Sequence, residues 1–295
     1  MGLLVLEPIL KERIWGVEQL PAPYPQPEPG KPIGEVWLTA LECPVAEGGE
    51  PGKRLGDLLP DFPLLLKILL PKEKLSVQVH PNDEEARLIG EARGKTECWY
   101  ILEAEPGAEI ALGLKPGVKV EDLAASIADG TMESKMKMVP VKAGDLAFVD
   151  AGTIHAIGPG MTVLETQEYS DVTYRLYDYG RPRELHLQQG LAVSKMETKA
   201  GLVAAEEHEQ YTRLVGCEYF AVDELKLTAN EATPLDAVGK LQIFVALVEG
   251  ASLRALDGSE ETRLPKGQAV VLPAGEGAYV VRAHAGGKVM RILEP

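Results

Sequence analysis

Glycine and proline divide this chain into short apolar runs. Among its 295 residues, 30 glycines and 22 prolines fall at regular breaks between runs such as EVWLTAL, ECWYIL and QAVVLPAG. Short apolar runs closed by turn-forming residues are typical of strands rather than helices. The pattern therefore predicts a mainly β fold with many tight turns and a few short helices.

The predicted strands form two groups, separated by a polar, acidic stretch at residues 197–213. We expect a larger domain at residues 1–196, which includes the proline-rich arm PAPYPQPEPGKP, and a smaller β domain at residues 197–295. An apolar content of 45% with 25% charged residues is enough to bury a core in each.

A weak internal repeat links the two groups. GDLAFVDAGTIHAI in the first resembles GQAVVLPAGEGAYVV in the second, and the alignment pairs Gly144 with Gly267 and Gly152 with Gly275. Repeated segments indicate duplicated units. The repeat predicts two related β-barrel or jelly-roll modules, the second with an alanine where the first has His155.

Four stretches have helical character. NDEEARLIGEARG offers Asn82 as an N-cap, and VEDLAASIADG has helical spacing. RELHLQQGLAVSK is read as a helix with three inward apolar residues, Leu185, Leu191 and Val193. RLGDLLPDFPLLLKILL is read as a short helix interrupted by prolines.

Charge and cysteine usage limit the partners and the compartment. The net charge of −15 argues against nucleic acid or an anionic membrane as a partner. Three cysteines without CxxC spacing indicate neither a disulfide framework nor a cysteine metal site. No apolar run approaches the roughly 18 residues of a membrane span, and the N-terminus lacks a basic segment with a cleavage site. We expect a cytoplasmic protein.

Four residues have the types and spacing of a divalent-metal site. Gln78 and His80 alternate in LSVQVHP and so point to the same side of a strand. Glu97 opens the run ECWYIL, and His155 closes DLAFVDAGTIH. Two imidazoles, a carboxylate and an amide oxygen suit zinc or another divalent first-row ion. The competing interpretation is a pair of buried structural histidines.

The segment LETQEYSDVTYRLYDYGR carries a possible acid–base group and two cations. Glu165 could move a proton next to a carbonyl, while Arg175 and Arg181 offset the charge of an enediolate or a phosphate. Lys95 would add a positive charge beside Glu97. A salt bridge between Glu165 and Arg175 across neighbouring strands explains the same residues equally well.

Taken together, LSVQVHPND, GKTECWYIL, AGTIHAIG and SDVTYRLYDYGR closely resemble the class I mannose-6-phosphate isomerases in their short bacterial form. The resemblance covers most of residues 1–190 and is faint beyond. It implies the cupin superfamily, zinc dependence, and interconversion of mannose 6-phosphate and fructose 6-phosphate. The implied partner is a small sugar phosphate, and we expect a monomer or a homodimer.

The resemblance also assigns roles. It implies one zinc ion per chain on Gln78, His80, Glu97 and His155. The catalytic residues it implies are Arg175, Glu165 as the base, and Lys95. For substrate binding, Arg181 takes the place of a second basic residue, and we add Ser76, which shares a strand face with Gln78 and His80.

Two other functions stay open at this level. An iron-dependent cupin dioxygenase would use only His80, Glu97 and His155, because two histidines and one carboxylate are the usual ligands of such enzymes. The amide of Gln78 would leave less room for dioxygen. A non-catalytic sugar-binding cupin could keep the ligands without Glu165 or Arg175, but both residues are present.

Overall fold

The computed structural model describes residues 2–236, 238–256 and 261–294, and within these ranges the chain is mainly β. This confirms the predicted fold class. The first thirteen strands are β1 Leu4–Leu6, β2 Ile9–Val17, β3 Ile33–Trp37, β4 Val45–Glu47, β5 Leu64–Leu69, β6 Val77–Val79, β7 Glu97–Ala104, β8 Glu109–Leu114, β9 Met136–Pro140, β10 Leu146–Val149, β11 His155–Ile157, β12 Met161–Glu168 and β13 Tyr174–Tyr177.

The later strands are shorter on average and follow one another closely. They are β14 Gly201–Leu202, β15 Glu206–Glu207, β16 Thr212–Gly216, β17 Ala221–Leu227, β18 Ala232–Leu235, β19 Gln242–Ala246, β20 Ala251–Ala255, β21 Glu261–Leu264, β22 Ala269–Leu272, β23 Tyr279–Ala283 and β24 Gly287–Leu293. The helices are α1 Leu55–Leu58, α2 Asp83–Leu88, α3 Val120–Ala128 and α4 Leu187–Val193, with a 3-10 turn at Met132–Lys135.

The strands pair antiparallel in four sheets, numbered here in the order in which they stack. Sheet 1 has the order β13-β6-β11-β8-β9, and sheet 2 the order β14-β10-β7-β12-β5-β3-β2. Sheet 3 runs β15-β16-β17-β24-β19-β22-β1-β4, and sheet 4 runs β18-β23-β20-β21. No sheet closes into a barrel within the described residues, so the jelly-roll form of the prediction is the one that fits.

Apolar side chains fill the space between successive sheets. Trp99, Ile110 and Val163 belong to the core shared by sheets 1 and 2. Alternation along a strand then serves two cores at once: in β19, Ile243 packs between sheets 2 and 3, and its neighbour Phe244 packs between sheets 3 and 4. The large sheets 2 and 3 are therefore buried on both faces.

The N-terminal and C-terminal parts of the chain contribute strands to each other's sheets. β1 and β4, from the first sixty residues, lie at one end of sheet 3, while β14 extends sheet 2 by pairing with β10. The predicted domains at residues 1–196 and 197–295 stay a prediction, and these pairings show that the backbone hydrogen bonds cross the line between them.

The internal repeat corresponds to matching turns. Gly144 and Gly267 precede β10 and β22 with φ of 92° and 70°. Gly152 and Gly275 follow the same strands with φ of 89° and 86°. Positive φ favours glycine because it has no Cβ, so the two repeated segments have the same turn requirement at each end of the strand.

The predicted helices are mostly observed. α2 begins after Asn82, whose side chain accepts a hydrogen bond from the Glu85 amide at 2.9 Å, and α3 lies in VEDLAASIADG. α4 is shorter than predicted, and Leu185 lies outside it, 39% exposed. None of the helices in the described ranges has the length and apolar content needed to cross a membrane.

One helix prediction is wrong in its second half. Only Leu55–Leu58 is helical, and Leu64–Leu69 forms β5, all six of whose residues are buried. A strand that is buried on both faces has a continuous apolar sequence without alternation. That sequence pattern does not distinguish a strand from a buried helix.

Leu6 tests the stacking of sheets 2 and 3. It is fully buried in their shared core, so Leu6→Ala is expected to lower the free energy of unfolding by about 2–5 kcal/mol. Ile14→Ala, at a position 52% exposed, should change it by no more than about 0.5 kcal/mol. Urea unfolding followed by circular dichroism measures both, and equal effects would contradict the stacking.

Candidate metal centre and active site

The four predicted metal ligands converge between sheets 1 and 2. Gln78 lies in β6, His80 directly follows it, and His155 begins β11, where its backbone is paired with Gln78. Glu97 begins β7 in the opposite sheet. Ligand atoms of His80, Glu97 and His155 all lie within 4.8 Å of one another, and the three residues are buried.

Both imidazoles present an unprotonated nitrogen to the site. Nδ1 of His80 is 2.7 Å from the Val172 carbonyl oxygen, and Nδ1 of His155 is 2.9 Å from that of Thr153. A carbonyl only accepts, so each Nδ1 carries the proton and each Nε2 is free to bind a metal. Burial, reinforced by the Lys95 ammonium, holds the pKa of His80 well below its usual range and lowers the pKa of His155 to about 3.

Glu97 is fully buried, and one of its oxygens lacks a donor. Oε2 accepts from the Lys95 ammonium at 2.5 Å, but Oε1 finds no hydrogen-bond partner among the described residues. Oε1 lies 3.4 Å from Nε2 of His155. With His155 neutral, two lone pairs face each other in a buried site, and this is unfavourable unless a cation lies between them.

Gln78 completes the set from the cavity side. Its amide Nε2 is 3.3 Å from Nε2 of His155, and its Oε1 is 3.3 Å from the Ser76 hydroxyl. An amide can turn to exchange its oxygen and nitrogen, and a hydroxyl both donates and accepts. Ser76 can therefore support either orientation, including the one that turns the oxygen toward a metal.

Lys95 is the cation in direct contact with these ligands. Its ammonium lies 3.0 Å from Nε2 of His80 and 2.5 Å from Oε2 of Glu97, and the residue is 4% exposed. The predicted position of Lys95 at the opening of the metal site agrees with this geometry. Two neutral imidazoles, a carboxylate and an amide fit a divalent first-row ion. The unpartnered Oε1 of Glu97 would be the anionic ligand of that ion.

A cavity of about 430 Å³ adjoins the ligands and extends between the two sheets. Ser76 and Gln78 line its inner part. The charged side chains that line the cavity are five cations and three carboxylates. The cations are Arg13, Lys67, Lys95, Arg175 and Arg183, and the carboxylates are Glu35, Glu165 and Asp171. A concave site with convergent polar and charged groups is where a small polar ligand would bind.

Glu165 is buried on β12 and reaches the cavity. Lys67 is directly opposite on β5, with its ammonium 3.5 Å from Oε2 of Glu165 and 3.0 Å from Oδ1 of Asp171. Burial acts to lower the pKa of Lys67, but the two carboxylates outweigh it and the pKa is raised. Glu165 is thus partnered by Lys67, not by Arg175 as the salt-bridge interpretation proposed.

Trp99 connects Glu165 to the metal ligands. Its indole N–H donates to Oε1 of Glu165 at 3.1 Å, and its ring packs edge-on against His155 with 5.3 Å between centroids. Trp99 is 1% exposed. A rigid aromatic ring with one polar atom fixes the carboxylate relative to the ligand.

Arg175 lies on β13 at the edge of sheet 1 and lines the cavity. One terminal nitrogen donates to the Glu184 carbonyl oxygen at 2.9 Å, while Nε is buried without a partner among the described residues. Burial lowers the pKa of Arg175, and the nearby guanidinium of Arg183 lowers it further. An unpartnered buried donor in a cationic surrounding favours an anionic ligand.

Arg181 occupies a different position from its predicted one. It bonds Asp178 at 2.8 Å and the Lys74 carbonyl oxygen at 2.8 Å, and it is not among the residues that line the cavity. Arg183, two residues later, does line it. The substrate-binding role of Arg181 stays a prediction.

Sequence reasoning missed Arg13, Lys67, Trp99 and Arg183. Lys67 offered a signal, since a lysine within LLLKILL is a charge in a run that is otherwise buried, and such charges need partners. The other three offered no local signal. Their convergence depends on the pairing of strands that are far apart in sequence.

Comparison with known proteins gives the family. The chain is 36% identical to the mannose-6-phosphate isomerase ManA of Bacillus subtilis, over 96% of each chain. The chain belongs to the mannose-6-phosphate isomerase family. The family model for the catalytic domain of type I phosphomannose isomerase matches residues 48–116. This segment includes three of the four predicted metal ligands.

Solved structures agree with the family and the fold. A mannose 6-phosphate isomerase from Bacillus subtilis superposes with a TM-score of 0.86 at 30% identity and full coverage of both chains. A zinc-bound mannose 6-phosphate isomerase shares the fold at 16% identity, with a TM-score of 0.75 and full coverage. The predicted family and the cupin fold are confirmed.

Glu97→Gln tests the metal centre. The substitution keeps the shape but removes the charge that faces His155, so we expect divalent-metal affinity to fall by at least about 100-fold, beyond the loss typical of outer-shell partners. Glu103→Gln, at an exposed position on the same strand, is the matched control. Equilibrium dialysis with elemental analysis measures both, and unchanged affinity in Glu97→Gln would refute the site.

A second buried carboxyl lies behind the site. Oε2 of Glu168 accepts from the Thr96 amide at 2.7 Å, and Glu168 also hydrogen-bonds the Asp83 side chain. Burial raises the pKa of Glu168 to about 8 from an ordinary 4.5. The folded state therefore binds this proton more tightly than the unfolded state, and the contribution to stability is lost as pH rises between those values.

Glu168→Gln should remove this pH dependence. Relative to the parent protein, the variant is expected to gain stability steadily from pH 5 to pH 8, because its amide does not ionise. Glu84→Gln on the exposed side of α2 should show no such trend. Denaturant unfolding at several pH values supplies the comparison, and parallel pH profiles for Glu168→Gln and the parent would contradict the assignment.

Proposed function

We propose that this protein interconverts mannose 6-phosphate and fructose 6-phosphate at one zinc ion per chain. The observation that carries the proposal is that Glu165, Gln78 and Lys95 line one cavity, in which cations outnumber carboxylates. Lys95 in turn contacts the candidate ligands His80 and Glu97. Family membership supports the reaction. An aldose–ketose isomerase needs a base at the sugar carbons and cations for the charge that develops on their oxygens.

Gln78, His80, Glu97 and His155 would hold the zinc ion. Nitrogen and oxygen donors of this kind fit zinc, and both histidines present Nε2 because backbone carbonyls accept from Nδ1. When bound, zinc supplies a Lewis acid that polarises oxygens of the substrate. The remaining chemistry belongs to the side chains of the chain itself.

Glu165 would transfer the proton. Its carboxylate takes the hydrogen from C2 of the open-chain aldose as a proton, and the electron pair of that bond forms the C1–C2 double bond of an enediolate. The hydroxyl proton of O2 passes to O1, and return of the first proton from Glu165 to C1 then gives the ketose, with C2 as the carbonyl carbon. Lys67 and Trp99 hold the two oxygens of Glu165, so the base has one fixed position before substrate binds.

Lys95 and Arg175 would stabilise the charge on the enediolate. Lys95 lies beside the metal ligands, and Arg175 opposes Gln78 across the β13–β6 pair. Preorganised cations in a buried site stabilise developing negative charge without reorganisation. Ser76, which contacts the Gln78 amide and lines the cavity, would donate to the substrate.

Two expectations accompany this proposal. The state of the protein as a monomer or a homodimer and its cytoplasmic location both stay predictions. The dioxygenase and the non-catalytic sugar-binding alternatives are not favoured, since the comparisons point to isomerases and the candidate base is held in place.

Glu165→Gln tests the proposal directly. With mannose 6-phosphate and zinc-loaded protein, we expect kcat to fall by about 10²- to 10⁴-fold, the usual contribution of a general base, while zinc content is unchanged. Glu103→Gln serves again as the control. A coupled assay for fructose 6-phosphate measures the rate, and chelation should abolish it until zinc is returned.

Contrary outcomes identify the rivals. Turnover of mannose 6-phosphate by Glu165→Gln at the parent rate would remove Glu165 as the base. No product from any aldose phosphate, with one metal bound per chain, would overturn the isomerase proposal. Oxygen-dependent activity would then favour the dioxygenase, and sugar binding without turnover would favour the binding protein.

A further inference from the structure

Two carboxyl groups hold the backbone on either side of Lys95. The Gly94 amide donates to Oδ1 of Asp83 at 2.8 Å. The Thr96 amide donates to Oε2 of Glu168 at 2.7 Å. Glu168 lies at the end of β12, and its own amide donates to the Thr96 carbonyl oxygen at 3.1 Å. The segment that leads into β7 is therefore attached both to α2 and to β12.

Close packing fixes the backbone of Lys95 relative to a metal ligand. The Lys95 amide donates at 3.0 Å to the carbonyl oxygen of Pro81, the residue directly after His80. A Cβ at Gly94 would lie 2.4 Å from the carbonyl carbon of Asn82. Glycine thus permits the close approach of this segment to the start of α2. The Lys95 side chain extends from this fixed point to within 3.0 Å of His80 Nε2.

The two carboxyl groups also contact each other. Glu168 hydrogen-bonds the Asp83 side chain, and two carboxyl groups form such a bond only when they share a proton. Glu168 is 3% exposed. The Asp83 side chain is 27% exposed and accepts from the Arg87 guanidinium at 3.1 Å. Burial disfavours the charged form of a carboxyl group, so Glu168 carries the proton and donates it to the Asp83 carboxylate.

The other ionisable groups near Glu168 come from the segment between β16 and β17. The charge of Glu168 raises the pKa of both Cys217 and Tyr219, so these side chains lie close to it, and Glu218 acts on them in the same direction. Burial is the larger cause in both cases and raises the pKa of Tyr219 to about 12. None of these three residues carries a positive charge that would offset an ionised Glu168.

We propose that Glu168 is a positioning residue, and that the proton it shares with Asp83 keeps the Lys95 ammonium in place for the isomerisation. The inference rests on the proposed function, in which Lys95 stabilises the enediolate. Loss of the proton to solvent leaves two carboxylates in contact. Asp83 has access to water and moves away because of the repulsion. That movement releases the Gly94 amide and displaces Lys95, the next residue along the chain.

Activity should therefore fall as pH rises through the pKa of Glu168. Burial, with a further contribution from the Asp83 contact, raises that pKa from 4.5 to about 8. The shared proton is thus present at neutral pH and is lost in the alkaline range. Lys95 acts on charge that develops only in the reaction step, so kcat should fall while KM changes by no more than about 2-fold.

The experiment compares Glu168→Gln, Glu168→Leu and Glu84→Gln in zinc-loaded protein. An amide keeps an acceptor for Thr96 and a donor for Asp83 but does not ionise, so Glu168→Gln should keep its kcat at the pH where the parent loses it. Leucine makes neither bond. We expect the kcat of Glu168→Leu to be about 10- to 100-fold lower at every pH, the effect of a small misplacement of a catalytic group. Glu84→Gln, at an exposed position on α2, should follow the parent.

Two further measurements accompany the kinetics. Metal analysis of each variant shows that the zinc site is intact. The position of Lys95 is followed by NMR of protein with isotope-labelled lysine Cε, and its signal is assigned by the loss of that signal in Lys95→Arg. In the parent, the Lys95 signal should shift with the same midpoint as the fall in kcat. In Glu168→Gln that shift should be absent.

The inference holds if Glu168→Gln removes both the alkaline fall in kcat and the Lys95 shift while Glu84→Gln keeps both. It is overturned if Glu168→Gln loses activity at the same pH as the parent, or if a folded Glu168→Leu retains the kcat of the parent. If Glu168→Leu does not fold, Glu168→Gln decides the result alone. The NMR separates this result from a failure of the proposed function, since the Lys95 shift is measured even where no isomerisation is detected.

Discussion

The structure of the site depends on one buried negative charge. Glu97 lies between two sheets, with Nε2 of a neutral His155 3.4 Å from its unpartnered Oε1. Lone pairs held this close in a buried site require a cation, and Lys95 supplies one only on the Oε2 side. A divalent metal on the other side explains the backbone bonds to both Nδ1 atoms, the position of Gln78, and the burial of the whole group.

The two-sheet sandwich arranges the chemistry in order around this charge. The metal ligands lie on strands inside the sheets, Glu165 lies one strand further along sheet 2, and the arginines lie at the edges. In the proposed mechanism, strand order therefore separates the metal ligands from the residue that transfers the proton. Sheet 3 covers the outer face of sheet 2 and takes β1 from the N-terminal segment, so it buries the side of sheet 2 that faces away from the site.

Local sequence was sufficient for most of the strands, for two helices and for the convergence of the candidate metal ligands. Alternation places Gln78 and His80 on one face, and Asn82 caps α2 by itself. Local sequence was insufficient where a strand is buried on both faces, because such a strand has no alternation of apolar and polar residues. LLLKILL was therefore assigned to a helix. It was also insufficient where distant strands meet. Arg13 lies on β2 and Arg183 in the segment after β13, and the edge positions of these two strands bring the distant residues to one cavity.

The central claim concerns where the metal binds, and anomalous X-ray diffraction at the zinc edge from crystals of the zinc-loaded protein tests it most directly. The account predicts one strong peak per chain, about 2.0–2.2 Å from Nε2 of His80, Nε2 of His155 and an oxygen of Glu97, with the amide oxygen of Gln78 as the fourth protein ligand. A zinc peak elsewhere, with Oε1 of Glu97 still unpartnered, would contradict it.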